Sequence, residues 1–474
     1  MLNMEFINRK LELSRLDRVA NQLDGGVIVL WGRRRVGKTR LLLEWTKKHK
    51  GIYYTADESA ASLQIKYFAA ALEPVLPGFA SVDYPDWQVF LKRLAKEAMS
   101  NNWRGPLVID ELPYLISVSP EFPSILQKFL DHDAKEAKLT LALCGSSQRM
   151  MQGAILNANA PLFGRAQEIL KLSPISAGYL GDALHLNSPR EIVETYAIWG
   201  GIPRYWELVQ RLSGSLLEKI DQLVLDPMGP LNDEPNRLLL EEIPPAITLK
   251  PLLDAIGLGA HRLSEIAAKI GQPATALSRP MQRLIELDLV KREIPFQIAE
   301  VNTKKTLYKI KDPFLRFWFE TVAPRRSYFA QASPVQRKAF VKERLHPLFS
   351  ELWEELCRVC LPNLTSSWGV PCNPGARYWE NQGNEWDVVS DSLDGKFLLI
   401  GEAKWLKKTP SVAWVYKTLE ALKAKGVPKE LLERRQKRFI LFLAEKPLHL
   451  TLPEDCKVVD AAEVLGSLKS YTKA

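Results

Sequence analysis

Apolar residues in this chain first gather into short runs that end on glycine or on a carboxylate. Val27 to Trp31 is unbroken and stops at Gly32. Leu107, Val108 and Ile109 stop at Asp110 and Glu111. Leu139 to Cys144, interrupted by Thr140, stops at Gly145. Runs without polar alternation predict strands buried on both faces, as in a parallel sheet. A helix-forming stretch, Leu41 to Trp45, follows the first run, so this part of the chain predicts an α/β unit. Across 171–247 strand alternation disappears, and helical spacing at Ile192, Tyr196, Ile198 and Trp199 predicts a small helical lid. Residues 248–311 change again. Leu263 to Ile270 predicts an amphipathic helix closed by Gly271, and Leu277, Met281, Leu284 and Ile285 predict a second. Leu289 to Arg292 and Thr306 to Ile310 predict a hairpin. Helix, turn, helix and β-wing is the order of a winged-helix domain. The aromatics between Asp312 and Phe319 predict packing rather than base stacking, and residues 320–340 read as a linker. Beyond 341 a helix marked by Leu348, Leu352, Trp353 and Leu356 precedes a hairpin, Asn384 to Val389 and Phe397 to Gly401, with an Asp394-Gly395 turn between.

Composition narrows the class. The chain has 474 residues, room for about three domains. It is 46% hydrophobic and 25% charged, ordinary for a globular protein. No apolar run approaches the ~18 residues that cross a bilayer, and the first residues carry no signal-peptide pattern. The expected location is cytoplasmic, with no membrane partner. A net charge of +9 suits an anionic partner such as DNA. Five cysteines make no disulfide framework, and Cys357, Cys360 and Cys372 read as buried thiols. The six histidines form no metal-binding pair.

The first candidate chemistry is Gly-Arg-Arg-Arg-Val-Gly-Lys-Thr, residues 32–39. A strand that ends in a glycine turn and opens a helix aims backbone N–H groups and the positive helix end at one point, where a phosphate binds. Residues Gly32, Arg33, Arg34, Arg35, Val36, Gly37, Lys38, Thr39 and Arg40 are thus candidates for holding ATP. The grip is through the backbone, and the side chains of Arg33, Arg34 and Arg35 are expected in solvent. Lys38 would reach the β- and γ-phosphates and Thr39 would bind Mg²⁺. Asp110, at the end of the second run, would hold Mg²⁺ directly or through water, and Glu111 would polarise the attacking water. Ser146, after the third run, sits where a small polar residue could sense the γ-phosphate.

Six stretches in this order carry a family likeness: Phe6-Ile7-Asn8-Arg9, the 32–39 loop, Val108 to Tyr114, Cys144-Gly145-Ser146-Ser147, Pro161 to Arg165, and Gly200-Gly201-Ile202-Pro203. They resemble the archaeal-type ATPase family, a STAND-like branch of the AAA+ ATPases. The resemblance implies Arg9 near the adenine, Ser146 as first sensor, and Gly201 and Pro203 as the lid contact to the nucleotide. It also implies Arg165 as an arginine finger supplied in trans, hence a homo-oligomer.

Residues 262–311 hold ten Lys or Arg against five Asp or Glu, a net of +5. Arg279, Arg283, Lys304 and Lys305 are candidate phosphate contacts. Pro280 either kinks its helix or means that the helix starts late, capped by Ser278. In the C-terminal hairpin Glu402 and Lys404 alternate onto one face, and Asp387 on the partner strand can share it. Paired carboxylates suit Mg²⁺ or Mn²⁺, and Lys404 would position or deprotonate a water for attack on a phosphodiester. This pattern resembles the PD-(D/E)xK nuclease fold and a DUF234-type domain. The resemblance implies Glu354 as the first-helix carboxylate, with Glu351 second, and Trp386 in place of a proline.

The expected architecture is α/β: a parallel-sheet P-loop AAA+ ATPase core (1–170), a helical lid (171–247), a winged-helix domain (248–325) and a restriction-endonuclease-like α/β domain (341–474). The expected function is ATP hydrolysis that controls DNA binding and metal-dependent cleavage. The alternatives are a STAND-like nucleotide switch and a DNA-binding regulator with a non-catalytic nuclease-like domain.

Overall fold

The computed structural model describes residues 5–146, 148–242, 249–298, 305–367, 371–380, 383–428, 431 and 435–469. The chain divides into two compact units. One holds Asn8–Pro174 with Ile202–Arg204, the other Ile175–Gly201 and the chain from Tyr205 onward.

The N-terminal unit is built on five parallel strands: β1 (Gly26–Trp31), β2 (Ile52–Thr55), β3 (Leu107–Asp110), β4 (Thr140–Gly145) and β5 (Glu168–Lys171). Their order is β2-β3-β4-β1-β5. All ladders are parallel, with Gly26 opposite Thr140 and Ile109 opposite Leu143. The order places β4 between the phosphate-loop strand and the strand that ends in Asp110. The apolar runs behave as their lack of alternation predicts: Ile28, Val29, Leu30, Val108, Ile109 and Leu143 are fully buried. Strand C-termini of a parallel sheet share one edge, so Gly32, Asp110 and Ser146 arrive there together.

The C-terminal unit begins with helices, among them Pro189–Trp199, whose N-terminus is capped by Ser188. Helices Lys250–Gly257, Leu263–Ile270 and Ser278–Glu286 follow, then an antiparallel ribbon of β6 (Val290–Glu293) and β7 (Leu307–Ile310) with Val290 opposite Ile310. Pro280 lies in the first turn of Ser278–Glu286, where its missing N–H leaves no helical bond unmade. The residue before that helix is Leu277, which provides no side-chain cap, so the expected Ser278 cap is not formed. Phe314, Phe317, Trp318 and Phe319 are fully buried, with Phe314 against Tyr205 at 4.7 Å.

The expected linker is structured. A helix over Pro334–Lys342 starts with a Ser333–Gln336 capping box, and its buried Arg337 pairs with Asp221 at 2.6 Å. The signal was present as Ser-Pro-x-Gln, a start pattern that the polar composition masked.

The last part is a mixed sheet, order β12-β11-β10-β9-β8, of β8 (Ala376–Trp379), β9 (Glu385–Asp391), β10 (Phe397–Lys404), β11 (Gln436–Leu443) and β12 (Cys456–Asp460). Pairs β8–β9 and β9–β10 are antiparallel, and β10–β11 and β11–β12 are parallel. Helix Leu345–Cys360 precedes the sheet, Val412–Lys425 connects β10 to β11, and Ala461–Lys469 follows β12. All five cysteines are free and buried. Among the described residues no helix is long and apolar enough to cross a membrane.

Candidate functional site

Two sites emerge, one in each unit. In the N-terminal unit the 32–39 loop joins β1 to helix Lys38–His49. Gly32 and Gly37 adopt φ of 150° and 99°, and a Cβ at Gly32 would meet the Leu172 carbonyl at 2.6 Å. Only glycine fits both the left-handed backbone and the close approach. Lys38 is 5% exposed, and its Nζ donates to the carbonyls of Gly32 (2.8 Å) and Arg33 (3.2 Å). The ammonium thus lies back across the loop that a polyphosphate would occupy. Thr39 Oγ1 donates to Asp110 Oδ2 at 2.8 Å, and Tyr53 OH donates to the same oxygen. Burial, then the charge of Asp110, pushes the Tyr53 phenol pKa up. A threonine hydroxyl beside a buried carboxylate is the oxygen donor set that Mg²⁺ takes when it also binds phosphate. The residues present therefore fit Mg-ATP.

Glu111 turns the chain out of β3 in a left-handed conformation, φ 53° and ψ 41°. Its Oε2 accepts from Ser146 Oγ (2.9 Å) and Ser146 N (3.2 Å). The carboxylate expected to polarise water and the serine expected to act as sensor are therefore one bonded pair. Arg9 has its guanidinium buried, donating to the carbonyls of Val36 (3.0 Å) and Ser173 (2.8 Å) and to Glu12 (2.9 Å). Burial lowers its pKa despite Glu12. Through the Val36 carbonyl it braces the phosphate loop. Arg34 donates to Tyr114 OH at 3.1 Å, and Arg40 pairs with Glu44 at 2.9 Å. Pro203 lies beside the loop, its Cγ 3.7 Å from where a Cβ on Gly37 would stand. Gly201 belongs to the C-terminal unit, where its carbonyl accepts the Ile175 N–H at 2.7 Å. Ser147 lies outside the described residues.

Arg165 is remote from this edge. It forks onto Asp131 at 2.7 and 2.8 Å and borders a cleft of about 800 Å³ lined by Gly26, Lys135 and Gln167. Gly26 begins β1 and the loop follows its end, a separation of about 17 Å at ~3.3 Å per residue. Arg165 therefore does not serve the phosphate loop of its own chain.

In the C-terminal unit the sheet brings Glu354, Asp387, Glu402 and Lys404 together. The β9–β10 ladder runs from Leu398 opposite Asp391 to Gly401 opposite Val388. Beyond it the Asp387 carboxylate accepts the Ala403 N–H at 2.9 Å. Asp387 thus stands just past the last ladder pair, near enough to Glu402 and Lys404 for both charges to act on it. Glu402 Oε1 faces Lys404 Nζ at 2.6 Å, and Oε2 faces Lys425 Nζ at 3.3 Å. Burial, then Glu402, raises the Asp387 pKa. Burial, then Asp387, pushes Glu354 up to about 7. Arg358 approaches Glu354 at 3.5 Å and donates to the Asp387 carbonyl at 2.8 Å. Burial works against the Lys404 ammonium, but the Glu402 bond and charge outweigh it and raise its pKa. Asp387 and Glu402 are the two carboxylates expected to ligate a divalent ion. Among the described residues, however, no three Asp, Glu, His or Cys side chains converge to hold a metal ion.

The other first-helix glutamates serve elsewhere. Glu355 pairs with Arg316 (2.7 Å) and Lys291 (2.6 Å), and Glu351 with Lys309 (3.0 Å). Lys291 and Lys309 belong to β6 and β7, so part of the ribbon's basic excess is spent inside the unit. Arg279 is exposed on helix Ser278–Glu286, Arg283 approaches Glu286 at 3.8 Å, and Lys304 lies outside the described residues. The sequence reading missed Tyr53, Asp131, Arg358 and Lys425. Of these only Lys425 left a trace, as a lysine three residues past Leu422 on the apolar stripe Val415, Leu419, Leu422.

Comparisons with known proteins agree with the first site. Residues 6–209 match the family model of an ATPase domain predominantly from archaea, and residues 318–417 that of a domain in archaeal and bacterial proteins of unknown function. An uncharacterized protein of Methanocaldococcus jannaschii is 29% identical over 423 residues, 87% of this chain and 91% of that one. An uncharacterized ATP-binding protein of the same organism is 47% identical over 45 residues, 10% of this chain and 76% of that one. Among solved structures, the Walker-type ATPase of Pyrococcus abyssi is similar at TM-score 0.49 and 20% identity, over 66% of this chain and 95% of that one. Residues 6–209 thus match an ATPase domain of the predominantly archaeal family, and residues 318–417 match a domain of the second family.

Proposed function

We propose that this ATPase uses its nucleotide state to control a C-terminal domain that binds nucleic acid and cleaves phosphodiester bonds. The observation that carries the second half is the meeting of Asp387, Glu402 and Lys404 at the β9–β10 fork, with Glu354 beside Asp387. The order helix, three antiparallel strands, helix, parallel strand supports the same reading, since it is the order of the PD-(D/E)xK nuclease fold. Asp387 and Glu402 would ligate Mg²⁺ or Mn²⁺. Such an ion supplies Lewis acidity and a bound water of lowered pKa. Lys404 is placed to hold that water or a phosphate oxygen. In the ATPase site Lys38 would turn from the loop carbonyls to the β- and γ-phosphates, and Glu111 would leave Ser146 to orient water. The helices and the ribbon of the C-terminal unit form the proposed lid and winged helix, with Arg279 its exposed phosphate contact. Arg165 is the proposed finger for a neighbouring copy, which makes the working form an oligomer.

One observation favours a second reading, a nucleotide switch whose C-terminal domain binds without cutting. Both oxygens of Glu402 already face ammonium groups, so no cation is needed to neutralise it. Purified protein incubated with single-stranded, duplex and branched DNA, with and without ATP and Mg²⁺ or Mn²⁺, decides between them. Cleavage lost in Asp387→Ala with ATP turnover intact supports the nuclease. A wild type that binds and never cuts supports the switch.

A further inference from the structure

Beside Asp387, Glu402 and Lys404 the C-terminal site carries a second lysine, Lys425. Lys425 closes helix Val412–Lys425, and its Nζ stands 3.3 Å from Glu402 Oε2 while Lys404 takes Oε1 at 2.6 Å. One carboxylate is thus held by two ammonium groups from different elements. Lys425 also lies over the Trp386 ring, 5.4 Å from its centroid. Trp386 is 1% exposed, and its indole N–H donates to the Gly426 carbonyl at 3.1 Å. Gly426 ends the helix at φ 74°. Trp386 therefore fixes both the helix end and the ammonium, and its chain neighbour is Asp387. The side chain of Lys425 is 23% exposed, so it is packed along its length with its head at the site.

We propose that Lys425 is a second phosphate-directed ammonium group of this site. In the free protein it neutralises Glu402. With nucleic acid bound it turns to a backbone phosphate and leaves Glu402 available as a metal ligand. The proposal rests on the phosphodiester reading above. Its charge logic is an exchange: an ammonium and a divalent cation compete for the same carboxylate oxygens. Removing Lys425 makes Glu402 a better ligand and takes away a phosphate contact. Metal affinity and nucleic-acid affinity then move in opposite directions. A lysine that only held the helix in place would weaken both.

The test uses the full-length, nucleotide-free chain as wild type, Lys425→Ala, Lys425→Arg and Asp387→Asn. Mn²⁺ is titrated by calorimetry, and labelled single-stranded and duplex oligonucleotides are titrated in Ca²⁺ at several salt concentrations. Lys425→Ala is expected to bind Mn²⁺ about three- to tenfold more tightly and the better oligonucleotide about three- to tenfold more weakly, with the salt slope reduced by about one. Lys425→Arg restores oligonucleotide binding. Unchanged or weaker Mn²⁺ binding in Lys425→Ala, or unchanged oligonucleotide affinity, overturns the role. Mn²⁺ heat that survives Asp387→Asn removes the metal reading of the site, and the oligonucleotide arm then still decides the phosphate contact of Lys425. Thermal melts confirm folding. Should the alanine variant melt early, Lys425→Gln takes its place against Lys425→Arg.

Discussion

The phosphate-loop site and the C-terminal carboxylate site hold similar groups by opposite means. At the first, Lys38 rests on carbonyl oxygens, and the carboxylates of Asp110 and Glu111 rest on the hydroxyls of Thr39, Tyr53 and Ser146. Neutral donors orient these groups and leave their charges uncancelled, ready for a polyphosphate and its Mg²⁺. At the second, Glu402 faces two lysines and Glu354 an arginine, while the same helix spends Glu351 and Glu355 on Lys309, Lys291 and Arg316. There the charge of Glu402 cancels within the fold, and a ligand of Glu402 must displace an existing partner. The first site is set by a few consecutive residues and their backbone. The second is set by ion pairs between segments far apart in the chain.

If that contrast holds, Lys38→Ala has the largest effect. It removes the uncompensated cation, and ATP turnover is expected to fall about 100- to 1,000-fold, measured as phosphate release. Glu111→Gln keeps the phosphate cradle and loses the base, so turnover is expected to drop about 100-fold while ATP binding persists by calorimetry. Equal loss of both would mean that Glu111 holds the site together rather than acts in it.

The C-terminal unit should answer in stability instead. Arg316 is 3% exposed and faces Glu355 at 2.7 Å and Glu351 at 3.5 Å, so Arg316→Ala removes the buried cation they share and leaves them only Lys291 and Lys309. The expected cost is about 1.5–3 kcal/mol in urea unfolding of that unit. A cost under about 1 kcal/mol would show the network to be solvated. The smallest effect is in pH. Burial, then Glu351, pushes Glu320 up to about 7, above its ordinary 4.5. The folded state then holds a proton that the unfolded chain releases. This contribution is complete below about pH 4.5 and is lost as pH rises toward 7. Glu351 runs the other way: burial opposes its charge, but Arg316 and Lys309 prevail and bring it down to about 2. Its contribution is complete above about pH 4.5 and is lost on acidification. Melting curves across pH 4 to 7 should therefore flatten in Glu320→Gln. An unchanged slope would place the proton elsewhere.

The same contrast explains what the chain disclosed before folding. The loop at 32–39, Asp110 and Glu111 were legible because their geometry is local: an unbroken apolar strand delivers a fixed turn. Strands β1, β3, β4, β9 and β10 were legible from apolar runs bounded by Gly or Asp, whereas β11 was not read despite its run from Phe439 to Leu443. Lys425 was not legible, because its role depends on which strand lies beneath the end of its helix. Tyr53 and Asp131 were hidden for the same reason, each being defined by a partner at least 34 residues away. The net charge of 262–311 misled in part, since composition cannot say which lysines turn inward.

The most direct test of the account is calorimetric titration of Mg-ATP into the full-length wild type and into Lys38→Ala. Binding is expected at about one site per chain in the wild type and at least tenfold weaker in the variant, with the melting profile unchanged. Absence of heat in well-folded wild type, or equal affinity in both proteins, would contradict it.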